Sequence, residues 1–291
     1  MKGWMVVNSF VGSAKFRELY GFFEQAAKKL CMELEVRTTD SLVCSTDDGF
    51  SQFKLPDFVL FWDKDVYLAE RLEHLGIPVF NSASAIRLCD NKILTTLALE
   101  GEVAIPKTVI APKTFEGVGY NDFAFLEKAI GILGLPVVIK EAYGSFGQQV
   151  YLANDLKEAE AIFAKIGYKE CLLQAFIPTS RGRDVRVNVV GGVVVASMFR
   201  WNDHDFRSNI SNGGKMRSFT PTSAQEEIAV RACRVLGLDF AGVDVLFGED
   251  DRPLVCEVNS SPHFKTTFAC TGVDMSEKIL ANIQSRCGGH V

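Results

Sequence analysis

The segment 241–262, AGVDVLFGEDDRPLVCEVNSSP, constrains this chain more than any other. Both arms are rich in β-branched residues, and the polar stretch from Gly248 to Pro253 marks a turn, which together are the signature of a β-hairpin. Antiparallel pairing about that turn sets Phe247 opposite Leu254, Val245 opposite Cys256 and Val243 opposite Val258, all on one apolar face. The period-2 alternation of strands then puts Asp244 directly across from Glu257 on the other face, with Asn259 two residues further along. Carboxylates whose Cβ atoms lie ~4.5–5.5 Å apart repel one another, so the arrangement makes sense with a cation between them. Oxygen-only donors of this kind suit magnesium or manganese, and magnesium is usually held by one or two carboxylates plus substrate phosphates. The hairpin therefore predicts a metal–nucleotide site. The bland alternative is a surface hairpin with solvated acids.

Composition is compatible with that expectation. At 291 residues, 47% hydrophobic and 23% charged, the chain has room for two or three small domains with a sizeable core. Apolar runs such as GGVVVASMF fall well short of the ~20 residues that a membrane span requires. Met1 to Asn8 lacks the apolar core and cleavage site of a secretory signal, so the chain reads as cytoplasmic. Eight cysteines are scattered singly, without a C-x-x-C pair or a histidine at zinc-finger spacing, and read as reduced, buried thiols. A net charge of −5 and a pI near 5.5 argue against a broad nucleic-acid surface.

Strands alternate with helices from the start. WMVV, FRELYGFFEQAAKKL, LEVR, FVLFW, VYLAERLEHL and IPVF predict a small α/β domain over residues 1–88. A helical pair around SASAIRLCDNKILTTLALEG leads through IPKTVIA into a second region, 89–170. There DFAFLEKAIGILG and DLKEAEAIFAKIG are helical, LPVVIK is a strand and YGSFGQQVYLA is a glycine-containing hairpin. A third region, 171–291, opens with CLLQAFI. It continues through DVRVNVV and GGVVVASMFR, a polar loop, the helix PTSAQEEIAVRACRVLGL, the acidic hairpin and a last helix, DMSEKILANIQSRC, expected to pack on that sheet. The fold class is mixed α/β and α+β.

The middle of the chain carries chemistry that a metal-bound triphosphate needs. Lys140 ends a buried apolar strand, where an ammonium is costly unless an anion meets it. Gly144-Ser145-Phe146-Gly147 offers a flexible turn whose backbone N–H groups can close over phosphates, although a plain tight hairpin turn is the competing account. Lys92, near a helix start, is a second candidate phosphate cation or else an exposed surface lysine. The polar segment RWNDHDFRSNISNGGKMRS holds Arg200, Arg207, Lys215 and Arg217 among glycines and asparagines, and suggests a cationic loop for anionic groups. Before it, Asp184, Arg186 and Asn188 alternate with valines, so one face is core and the other polar. A surface ion pair of Asp184 with Arg186 is the alternative there.

In this order, Lys92, VVIK ending at Lys140, GSFG, LQAFI, DVR, DFRSN, AGVDV and EVNSSP resemble an ATP-grasp ligase, most closely the RimK-like glutamate ligases and their carboxylate–amine ligase relatives. The resemblance covers nearly the whole chain. It implies the ATP-grasp fold with an N-terminal pre-ATP-grasp α/β domain (1–88), a linker and lid (89–170) and a C-terminal metal- and nucleotide-binding subdomain (171–291). It implies ATP clamped between the last two, with two magnesium ions for which manganese can substitute. Carried over position by position, Lys92 and Lys140 hold the α/β-phosphates, and Gly144, Ser145 and Gly147 belong to the phosphate flap. The hinge Gln174, Ala175, Phe176 and Ile177 meets adenine through the backbone of Ala175 and Phe176, and Asp184 meets the ribose. Arg207, Ser208 and Asn209 complete the nucleotide pocket, and Asp244, Glu257 and Asn259 ligate the metals. Arg200 and Arg186 lie near the γ-phosphate and the acceptor carboxylate and, with Lys140, make up the catalytic set.

The implied reaction is attack of a carboxylate on the γ-phosphate, then displacement of phosphate from the acylphosphate by an amine. Its substrates are small-molecule or peptide carboxylates and amines, with no nucleic acid and no membrane, and a homo-oligomer is left open. An ATP-grasp kinase that phosphorylates a hydroxyl, or a noncatalytic nucleotide-binding protein, would share the same motifs. Three departures from the family pattern stand out. Ala175 occupies a hinge position that is commonly acidic, Gln148-Gln149 replaces another glycine and stiffens the flap, and His263-Phe264-Lys265 replaces a small glycine-containing turn and alters the acceptor pocket. His263 is either a pocket wall or a base for the amine.

Overall fold

A computed structural model describes residues 1–47 and 49–288. The first unit runs β1 (Lys2–Val7), α1 (Ala14–Lys29), β2 (Glu33–Thr38), β3 (Phe58–Trp62), α2 (Val66–His74) and β4 (Val79–Phe80), and its parallel sheet has the order β2-β1-β3-β4. Its central strands are apolar on both faces because both faces are covered, as parallel sheets demand. Leu68 and Leu72 of α2 pack on one side with Trp4 and Phe61, and Leu19 and Phe23 of α1 pack on the other with Met5 and Leu60.

Two short helices follow, α3 (Ala83–Asp90) and α4 (Lys92–Leu99). Asn91 ends the first and caps the second, its side chain accepting from the N–H groups of Ile93 and Leu94. That kink fixes Lys92 as the first helical residue of α4. The next unit comprises β5 (Thr108–Ile110), α5 (Ala124–Leu133), β6 (Val137–Glu141), β7 (Val150–Ala153), α6 (Leu156–Ile166) and β8 (Cys171–Ala175), with the antiparallel sheet order β5-β8-β6-β7. The strand CLLQA, expected to open the third region, is instead central to this second sheet. Its alternate side chains Cys171 and Leu173 fill the same core as Val137, Ile139 and Phe163, which leaves them no place in the third sheet.

The third sheet, β11-β10-β9-β12-β13, is built from β9 (Arg183–Val190), β10 (Val193–Trp201), β11 (Lys215–Ser218), β12 (Phe240–Phe247) and β13 (Pro253–Asn259). Helix α7 (Ser223–Val235) covers one face and starts at a capping box between Thr222 and Gln225. The polar loop after β10 is thus the connection of a hairpin, with Trp201 opposite Lys215. Its cations have local partners, Lys215 with Asp203 and Arg217 over the ring of Phe199, so the loop is less open to anions than its composition suggested.

Helices α8 (Lys265–Thr271) and α9 (Met275–Cys287) close the chain. Sequence reasoning missed the short α8 and β11. The last helix packs on the third sheet as expected and also against α1, so residues of the first and third units share one core. Phe264 is the pin of that core. Fully buried, it meets Phe22, Phe23 and Trp62 edge-on, while Trp62 stacks on Phe240 at 5.6 Å. The residue expected to reshape an acceptor pocket is therefore a packing anchor.

The acidic hairpin forms with one change of register. Val243 faces Val258 and Asp244 faces Glu257 as expected, but a β-bulge then sets Val245 opposite Val255 and Phe247 opposite Pro253. An extra residue shifts the alternation, so Val255 takes the core place expected for Cys256. The Val255 N–H donates to the Ala104 carbonyl at 2.9 Å, which ties this edge strand down at the bulge. All eight cysteines are free thiols, but only Cys171 and Cys233 are buried, Cys31 is exposed and the other five are half-buried. Among the described residues no helix is long and apolar enough to cross a membrane.

Replacing Phe264 by Ala removes a ring from a core that cannot readily collapse. The expected loss is about 3–5 kcal/mol of unfolding free energy, read as a lowered urea midpoint at an unchanged slope.

Candidate active site

Four neighbouring strands of the third sheet place a row of charges on the face away from α7. Arg186 on β9 is in register with Asp244 on β12, which is in register with Glu257 on β13, and Arg200 on β10 pairs with Asp184 on β9. The surface pair of Asp184 with Arg186 does not form, because strand neighbours rather than sequence neighbours face one another. Arg200 forks onto Asp184 with Nε–Oδ1 at 2.7 Å and Nη2–Oδ2 at 2.5 Å, and reaches Asp244 Oδ1 at 2.8 Å. Arg186 grips both oxygens of Asp244, with Nη2–Oδ2 at 2.8 Å. Asp184, Arg200 and Asp244 are all buried.

Burial alone would push the Asp244 carboxyl up, but the Arg186 and Arg200 guanidinium groups outweigh it and hold the acid below its ordinary range. Burial likewise opposes the charge on Arg200, and Asp184 and Asp244 more than restore it. The quartet is a closed, neutral network of bidentate bonds, the geometry in which a buried ion pair is sustainable.

The row ends an open cleft of about 730 Å³ between the second and third sheets. Its lining brings together Lys140, Gly147, Gln174, Ala175, Phe176, Ile177, Asp184, Arg200, Arg207, Ser208, Asn209, Asp244 and Glu257, all expected from the sequence. Val138, Val150, Leu246 and Cys256 line it as well, and sequence reasoning missed them. The apolar ones alternate with recognised polar residues on the same strands, a signal legible only once the facing sheet is known. Cys256 is there because the bulge turns it out of the core. Its Sγ lies 3.5 Å from Lys140 Nζ, and burial pushes the thiol up.

Lys140 also donates to Gln174 Oε1 at 2.7 Å, so the buried ammonium is met by an amide oxygen. Gln174 in turn donates to Thr108 Oγ1. At the hinge, the Ala175 N–H is already committed to the Lys107 carbonyl at 2.8 Å, so it is not a free donor to the cleft.

Lys92 lines a smaller adjoining cavity of about 430 Å³ that shares Lys140, Gln174, Cys256 and Glu257 with the cleft. It is not the exposed lysine of the competing account. Burial lowers its pKa, partly offset by Glu257. Gly144 and Ser145 do not line the main cleft. The turn they belong to is instead strapped across its mouth, with Lys92 Nζ donating to the Gly144 carbonyl at 3.1 Å and Arg207 Nη1 to the Gly147 carbonyl at 2.6 Å. Gln149 Oε1 accepts from the Ser145 N–H at 3.2 Å, and a Cβ on Gly144 would sit 2.4 Å from that oxygen. The glutamine thus braces the turn, and glycine is required where it does so.

Asn259 pairs in register with Gly242, and its Nδ2 donates to the Gly242 carbonyl at 3.4 Å, an orientation that leaves the amide oxygen for a cation. Among the described residues no three His, Cys, Asp or Glu side chains cluster as a metal cage. Two carboxylates and an amide fit a cation that completes its shell with phosphate oxygens, as magnesium does. His263 lies edge-on to Phe16 with centroids 6.0 Å apart, beside the first unit.

A cleft between an antiparallel lid sheet and a larger sheet, with cations at one end and an apolar hinge at the other, defines the ATP-grasp class. Comparison with known proteins agrees. The RimK-like ATP-grasp domain family matches residues 90–283, and the chain belongs to that family. It is 30% identical over 264 residues to the MG012 homolog of Mycoplasma pneumoniae, covering 89% of this chain and 91% of that one. It is 35% identical over 204 residues to N-acetylaspartylglutamate synthase A of Homo sapiens, covering 69% of this chain and 51% of that protein. The chain thus spans about half the length of that synthase. A RimK domain ATP-grasp protein from Sphaerobacter thermophilus has the same fold, with a TM-score of 0.73 at 22% identity over 97% of this chain and 99% of that one. The chain is an ATP-dependent ligase that forms carbon–nitrogen bonds.

The lowered pKa of Lys92 fixes the sign of one pH effect. Between its folded-state value and 10.5, the value of an unperturbed lysine, the unfolded chain binds more protons than the folded one, so stability rises with pH across that window. Urea unfolding at a series of pH values is expected to show this contribution in the wild type and to lack it in Lys92→Met. An unchanged alkaline rise in the variant would place its origin elsewhere.

Proposed function

We propose that this protein couples ATP to the joining of a small-molecule or peptide carboxylate to the amine of an amino acid, through an acylphosphate. The observation that carries the reading is the charge row Arg186–Asp244–Glu257 with Arg200, set at one end of a cleft whose other end is the apolar hinge. A base would lie between Val138, Val150 and Leu246 and meet the carbonyl of Ala175. Asp184 would reach the ribose from the cleft wall, near Ser208 and Asn209. The phosphates would then run toward Lys140, Lys92 and Arg207.

Asp244, Glu257 and Asn259 would hold two magnesium ions, or manganese in their place, which supply charge neutralisation at the transferred phosphoryl group. Arg200, fixed by two bonds to Asp184, presents a positioned cation where negative charge develops. The acid substrate attacks the γ-phosphorus in line, ADP leaves, and the acyl carbon is then open to the amine. Because water would hydrolyse an acylphosphate, the Gly144–Gly147 turn has a protective task as well as a binding one. No cysteine is needed as a nucleophile, and the depressed acidity of Cys256 agrees with a wall rather than a reacting group.

The names of the relatives favour an amino acid as amine and a small carboxylate as acid. The first unit, the second unit with its strand Cys171–Ala175, and the third unit would divide these tasks between acceptor binding, lid and nucleotide site.

Incubation with ATP, magnesium, hydroxylamine and a panel of small carboxylic acids is expected to yield a hydroxamate with at least one acid. Phosphate appearing on a hydroxyl instead would assign kinase chemistry. Glu257→Gln is expected to lower ADP release by at least about a thousandfold, about 4 kcal/mol of transition-state stabilisation, with an unaltered circular dichroism spectrum. Undiminished turnover would remove Glu257 from the metal set.

A further inference from the structure

We infer that Arg186 is an exchangeable counter-ion, which neutralises Asp244 until a divalent cation takes the Asp244 oxygens and is then released toward the acid substrate. The inference rests on the metal-site reading above and adds an order of events to it. Both oxygens of Asp244 are occupied by guanidinium groups, Arg186 on both and Arg200 on Oδ1. Both lone-pair sites of Oδ1 and one of Oδ2 are thus taken, so a cation that binds Oδ1 or both oxygens displaces at least one of the guanidinium groups.

The two arginines are not equivalent. Arg200 has a second carboxylate, Asp184, which it holds bidentately, and its side chain is only 6% exposed. Losing Asp244 leaves it anchored. Arg186 has Asp244 as its carboxylate partner, and its side chain is twice as exposed, at 12%. It is the group that moves.

Arg186 lies against the neighbouring strand at a glycine. A Cβ at Gly242 would lie 3.1 Å from both Cδ and Nη1 of Arg186 and 2.9 Å from Pro262 Cβ, so a larger residue there would crowd the arginine. Once displaced, the planar fork is a desolvated, unpaired cation beside the metal end of the cleft, and a substrate carboxylate is the bidentate partner that suits it. Cation loading therefore raises affinity for the acid, and by linkage the acid raises affinity for the cation. Until a cation binds, the same arginine shares with Arg200 the compensation of the buried Asp244 charge.

Manganese binding measured by electron paramagnetic resonance, without substrates, tests this directly. Wild-type protein is expected to bind Mn²⁺ alone weakly. Arg186→Gln removes the competitor and is expected to tighten that binding by about tenfold, the effect of about 1.4 kcal/mol less competition. Arg186→Lys keeps the charge but cannot grip both oxygens, so it is expected to tighten binding by a smaller factor, and it carries the test if the glutamine variant does not fold. Asp244→Asn should abolish the gain in either background. A purely structural role for Arg186 would lower thermal stability and leave Mn²⁺ affinity equal or weaker, and that result overturns the inference. If wild-type protein retains no Mn²⁺ even with a nonhydrolysable ATP analogue present, the metal-site reading itself fails, and the exchange fails with it.

Discussion

Charge compensation across the third sheet is the constraint on which the rest of this structure depends. Asp184, Asp244, Arg186 and Arg200 sit on adjacent strands in or near the interior, where an isolated carboxylate or guanidinium would be strongly disfavoured. They are tolerable because each acid is met by a fork of donors in register. Removing Arg200 would leave Asp184 without its partner, and removing Asp244 would leave Arg186 without its own, at a cost of about 3–5 kcal/mol each. Such a network is weak evidence for stability and stronger evidence for function, since an apolar core would hold the strands together as well. Here the opposite face of the same strands, with Val185, Val187, Val243 and Val245, already does so.

The surrounding architecture keeps that row in place while leaving one side open. Helix α7 seals the apolar face, Phe264 and α9 lock the third unit to the first, and the second sheet rises over the polar face to make the cleft. The turn at Gly144–Gly147 is tied from both sides by cations that would also meet phosphates, Lys92 through the Gly144 carbonyl and Arg207 through the Gly147 carbonyl. Lid and ligand therefore draw on the same positive charges. That shared use would link the position of the turn to the state of the site, in the way proposed for Asp244 between arginine and metal.

Much of this was legible in residues alone. The opposition of Asp244 and Glu257 follows from strand periodicity and a polar turn, and it forms as expected because both residues lie on the far side of the bulge from the turn. The helices announced themselves by apolar spacing, and the structure adds caps at Asn91, Asp155 and Thr222. What failed did so for physical reasons. A single inserted residue at Cys256 leaves no mark in a β-branched run, so the thiol was assigned to the core. The strand 171–175 was given to the wrong sheet because both neighbouring sheets accept an apolar strand, and only long-range pairing with β5 and β6 decides.

Taken by itself, the chain determined its alternation of strands and helices, the acidic hairpin, the buried lysine at the end of β6 and the glycine turn, since these depend on local periodicity and backbone freedom. Tertiary structure alone decided which carboxylate each arginine holds, which strands frame the cleft, and that His263-Phe264 belongs to the seam with the first unit. Those outcomes depend on contacts between residues far apart in sequence, whose geometry is set by the packing of whole sheets and is not encoded in any one segment.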